Sequence, residues 1–77
     1  MEDVVFGVPG IDDDAARMIE KRLERVPGVH SVTVWVETQQ VEVRYDPALV
    51  DPRALAAEIL QVGFVAERIP FKQRWPG

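Results

Sequence analysis

The chain has no cysteine among its 77 residues. That excludes a disulfide and a thiolate-bound metal as supports for a small core. Only one histidine is present, His30, which leaves a histidine-based metal site without partners. No apolar run approaches the roughly 18 residues that a membrane helix needs. The start, Met1-Glu2-Asp3, is acidic and lacks the basic opening and long apolar segment of a secretory signal. These absences predict a soluble, cytoplasmic protein, since zero cysteine suits a reducing compartment. Basic charge is also scarce. Residues 1–67 hold all 13 acids and six of the nine bases, leaving −7, while residues 68–77 hold Arg68, Lys72 and Arg74. An acidic body argues against nucleic acid as a partner, because phosphate binding needs a basic face. It suits a cation or a basic protein surface.

What is present reads as one α+β domain over residues 1–69, followed by a tail over 70–77. Val4 to Val8 is a short apolar run that stops at Pro9-Gly10, a strand followed by a turn. Asp12-Asp13-Asp14 opens a helical pattern with Ala15, Ile19, Leu23 and Val26 on one stripe and Met18 beside it at the core edge. Pro27-Gly28 ends it. Val32, Val34 and Val36 then alternate with Thr33, Trp35 and Glu37, and Val41, Val43 and Tyr45 alternate with Glu42 and Arg44. A hairpin turn around Thr38-Gln39 that pairs Val36 with Val41, Val34 with Val43 and Val32 with Tyr45 puts every apolar residue on one face. Asp51-Pro52 opens a second helix whose buried face carries Leu55, Ile59 and Val62, widened by Ala56 and Leu60. Gly63 ends it, and Phe64 to Ile69 is a last strand. The order βαββαβ predicts a ferredoxin-like fold, a four-stranded antiparallel sheet with both helices on one face.

The run Ile19 to Val29 is similar to the first helix and turn of heavy-metal-associated domains. Tyr45-Asp46-Pro47, Val50, Leu55, Ile59 and Gly63-Phe64 extend that resemblance. The resemblance covers roughly residues 4–67. The resemblance implies a metallochaperone-like module, of the kind found in copper chaperones, metal-pumping ATPases and mercury-binding proteins. The family's working motif, Gly-Met-x-Cys-x-x-Cys, lies between the first strand and the first helix. Its two sulfurs suit soft metals. Here the segment reads Gly7-Val8-Pro9-Gly10-Ile11-Asp12-Asp13-Asp14-Ala15-Ala16. Counting back from Ile19 puts Asp12 and Ala15 at the cysteine positions. Counting forward from Gly10-Ile11 puts Asp13 and Ala16 there. Either register leaves Asp and Ala where sulfur stood.

Two readings of the acids remain open. Asp12 and Asp13 can ligate a hard divalent cation through oxygen, or they can cap and charge the start of a helix. Consecutive residues point in different directions, which argues against a cage built from the three acids alone. His30 is expected at the opposite pole. Trp35 falls on the face that the helices leave bare, where it is a candidate interaction residue with Phe71 and Trp75 of the tail. The tail can cover Trp35 in the same chain, or Trp35 can meet a second copy in a homodimer. RNA-recognition modules share the topology but carry a basic, aromatic strand motif that is missing here. Acylphosphatases need an Arg and an Asn at the phosphate, and the first loop has no Arg. No nucleophile–base pair or glycine-rich phosphate loop is found, so an enzyme is not expected. The expectation is a domain that handles metal by descent, with weak or absent soft-metal binding. The alternative is a metal-free interaction or assembly module.

Overall fold

A computed structural model describes residues 1–69. Its elements run β1 (Glu2–Gly7), α1 (Asp13–Glu24), β2 (Val29–Trp35), β3 (Gln40–Tyr45), α2 (Pro52–Val62) and β4 (Glu67–Ile69). The four strands form one sheet in the order β2-β3-β1-β4, with every neighbouring pair antiparallel. The ferredoxin-like architecture expected from the sequence is therefore present. The expected tail, residues 70–77, lies outside the described residues.

The pairing of β1 with β3 sets Val4 against Val43 and Phe6 against Val41. Period-two alternation carries these side chains to one face. There they join Val8, Tyr45 and the helix residues Ala15, Ile19, Leu23, Leu55 and Ile59 in a single buried cluster. Tyr45 is buried with its hydroxyl donating to Glu2 Oε1 at 3.2 Å. Burial, reinforced by the Glu2 carboxylate, pushes its phenol pKa above the ordinary value.

Local chemistry marks the helix boundaries. Asp51 accepts from Ala54 N at 2.9 Å as the N-cap of α2, and Pro52 occupies its first turn. Gly63 closes that helix at φ 109°, in the left-handed region where a side chain is unwelcome.

Four expectations need correction. The hairpin register is displaced by two residues, so that Val34 faces Val41, Val32 faces Val43 and Val29 faces Tyr45. A four-residue connection, Val36 to Gln39, replaces the tighter turn, closed by Gln39 N donating to Val36 O at 3.2 Å. A shift of two preserves the face of every side chain, which is why the apolar pattern could not detect it. The lost length is taken up by an irregularity between Val29 and Ser31. Met18 is 55% exposed, because it flanks the Ala15–Ile19–Leu23 stripe and lies in the groove between the helices beside Val62. Leu60 is 57% exposed, one residue and so about 100° round the helix from buried Ile59. The last strand pairs only from Glu67, and Phe64 packs on the core instead.

Candidate functional site

The segment from Val8 to Asp12 links β1 to α1 at one pole. Val8 and Ile11 are both buried, so apolar side chains pin the loop at two points. Gly10 between them sits at φ 89°, which favours a residue without a Cβ. Gln39, from the turn between β2 and β3, holds the loop from the other side. Its backbone oxygen accepts from Val8 N at 2.8 Å, its Oε1 accepts from Gly10 N at 2.9 Å, and its Nε2 donates to Ile11 O at 3.2 Å. Gln39 does this from a left-handed backbone, φ 58°. Sequence reasoning located the turn but not this role. Its only signal was a polar residue in a turn without Asn-Gly, and the long-range bonds have no periodic signature.

Asp12 is the N-cap of α1. Its Oδ1 accepts from Ala15 N at 2.8 Å, and its backbone oxygen accepts from Ala16 N at 2.9 Å. Asp13 and Asp14 form the first turn, both exposed, where their charge suits the positive end of the helix dipole. Asp14 pairs with Arg17 one turn on, a solvated contact of little energetic weight. Ala15 is 5% exposed and belongs to the core, while Ala16 packs at its edge. Among the described residues, no three His, Cys, Asp or Glu side chains come together as a metal-holding group. His30 is exposed on β2, beside the irregularity near Val29. Trp35 pairs with Gln40 on the face opposite the helices and is 40% exposed. Phe71 and Trp75 lie outside the described residues.

One consequence of the cap is measurable. Asp12→Ala removes the acceptor for Ala15 N and should cost about 0.5–2 kcal/mol in a denaturant melt. Asp13→Ala, which touches no cap bond, should cost less. Equal losses at the two positions would contradict the assignment of Asp12 as the cap.

The model of the Heavy-metal-associated domain family matches residues 5–64, most of the chain and all of this loop. The chain belongs to the heavy-metal-associated domain family. Copper-transporting ATPase 1 of Mus musculus is 44% identical over 48 residues, which is 62% of this chain. A probable copper-transporting ATPase, SynA, of Synechococcus elongatus is 42% identical over 50 residues, or 64% of the chain. The chain spans only 3% and 6% of the lengths of these two relatives. Among solved structures, a copper binding domain from HMA7, a P-type ATPase, superposes with a TM-score of 0.86 at 30% identity, covering 91% of this chain and 96% of that one. Oxidized MerP from Ralstonia metallidurans CH34 superposes at 0.84 with 26% identity, covering 90% and 97%. The donor set of this heavy-metal-associated domain does not fit a soft metal. With no cysteine in the chain, the loop offers oxygen and no sulfur.

Proposed function

We propose that this chain is a metal-handling domain by descent whose first loop binds soft metal weakly or not at all. The observation that carries the reading is the occupancy of the helix start. The Asp12 carboxylate caps α1, and Ala15, which it reaches, has no donor atom to add. The names of the relatives connect such domains with copper transport and copper binding. That connection supports the reading of a domain that works among metal-handling proteins, and we extend that reading to a cytoplasmic setting, a protein partner and no catalytic step of its own. Among the described residues, no helix is long and apolar enough to cross a membrane.

Titration with copper(I) or mercury(II) by calorimetry tests the reading. The expected result is no 1:1 complex of about micromolar affinity or better, roughly −8 kcal/mol at that limit. A tighter complex that disappears in Asp12→Ala or Asp13→Ala would overturn it.

Asp12 and Asp13 remain candidate ligands for a hard divalent cation. Such a cation would raise the melting temperature as its concentration passed Kd. With Asp12 engaged as a cap, the expected outcome is a melting temperature indifferent to Mg²⁺, Ca²⁺ and Mn²⁺. A cation-dependent rise abolished by Asp13→Ala would assign the loop to a hard metal. The second reading, a metal-free interaction module, draws support from Trp35, which is partly exposed on the face away from the helices.

A further inference from the structure

The face of the sheet opposite the helices can be laid out row by row from the strand registers. One row across it is Trp35, Gln40, Gly7 and Glu67, and the next is Thr33, Glu42, Val5 and Ile69. Arg44 and Asp3 follow, joined by an ion pair at 3.7 Å. That pair cancels its own charge and leaves Glu42 and Glu67 as the charges of the two rows without an ion pair among the described residues. Gly7 has no side chain, and Ile69 Cδ1 lies 3.2 Å from where its Cβ would be. Trp35, 40% exposed, is the main apolar surface of this face, with half-buried Ile69 across the sheet from it. Val5 is only 2% exposed, although it stands outside the core cluster that the helices bury.

We propose that the chain's own residues 70–77 dock across this face and cover Trp35. Charge is the first argument. The face offers Glu42 and Glu67, and the segment brings Lys72 and Arg74 beside Phe71 and Trp75. Reach is the second. β4 ends at Ile69 on the same face, beside Val5. From β4 to β2 is three strand spacings, about 14 Å. The six residue steps from Ile69 to Trp75 extend to about 20 Å. That length is enough for position 75 to come within reach of Trp35. Pro70 has no N–H with which to continue a ladder on β1. An occupant from the same chain sets a condition on any protein partner that uses this face, because the partner must displace the segment.

The test uses the full chain with Trp75→Phe, which keeps an aromatic ring at 75 and leaves Trp35 as the only indole. Reversing the segment's charge with Lys72→Glu and Arg74→Glu changes no residue of the core. The proposal expects a red shift of Trp35 emission and stronger acrylamide quenching on charge reversal. The protein should sediment as a monomer, and emission should not vary with protein concentration. Added salt should move the parent toward the reversed variant, since exposed pairing of this kind is screened. No change on reversal would overturn the proposal. Protection that appears only with a sedimenting dimer would also overturn it, by assigning the face to a second copy.

Discussion

Replacing Asp12 and Ala15 together with cysteine should create tight copper(I) binding, and replacing Asp13 and Ala16 should create a weaker site. The cap geometry supports counting back from Ile19 rather than forward from Gly10, and the two variants test that choice. Asp12 Oδ1 lies 2.8 Å from Ala15 N, so a side chain at position 12 reaches residue 15. Buried Ile19 is one turn beyond Ala15, as counting back from that residue requires. Thiols at these positions would sit among the free N–H groups of the α1 start. There the helix dipole lowers a thiol's pKa and favours the metal-binding thiolate. Asp13 and Ala16 are also three apart, with Cβ atoms about 5–6 Å from each other. In that variant, however, Asp12 still caps the helix and holds the Ala15 N–H that would otherwise help steady a thiolate. The 12/15 variant loses the cap, about 0.5–2 kcal/mol, and regains stability when metal binds. Competition against a copper(I) chelator ranks the two variants. A tighter site in the 13/16 variant would transfer the ancestral register to those positions, and no gain in either would detach the loop from metal altogether.

How much was legible in the sequence depended on the range of the interaction. The cap at Asp51 and the stop at Gly63 were readable because each is a local bond or a local backbone need, whereas the run of three acids left open which of them caps α1. The faces of β2 and β3 were readable because alternation survives any even shift. Their register was not, since the four-residue connection and the irregularity at Val29 depend on how the hairpin meets the rest of the sheet. The Gln39 clamp was hidden for the same reason. It joins residues 28 and 29 positions apart, and nothing in the local pattern separates it from a solvated turn residue. The loss of sulfur was plain in the composition. The contact between the Asp12 side chain and Ala15 N needed coordinates.

Gly28→Ala should be among the most damaging single-methyl additions in the chain, costing about 2–5 kcal/mol. Two effects combine. Gly28 sits at φ 98°, where a residue with a Cβ loses roughly 1–2 kcal/mol. Its added methyl would also lie 2.7 Å from Leu49 Cβ and 3.1 Å from Val50 Cγ1, an overpacking that costs about 1–3 kcal/mol. Neither neighbour can give way easily. Leu49 Cβ is fixed to its backbone, and that backbone is held by Leu49 N donating to Asp46 O at 3.0 Å. Asp46 N in turn donates to Gly28 O at 2.8 Å. The Pro27-Gly28 helix stop and the Asp46-Pro47 strand exit, which read as separate punctuation in the sequence, therefore meet as one joint at the pole away from the loop. Gly63→Ala isolates the backbone effect. Gly63 has φ 109° but nothing within 4 Å of the added methyl, so only the strain of about 1–2 kcal/mol remains. One kcal/mol moves the melting temperature of a domain this size by about 4–8 °C. A core of this size rarely leaves more than about 3–5 kcal/mol of stability, so Gly28→Ala should unfold a large fraction of the protein at room temperature, while Gly63→Ala melts cooperatively at a lower temperature. Equal losses in the two variants would show that the joint at Leu49 yields and that backbone strain alone sets the cost.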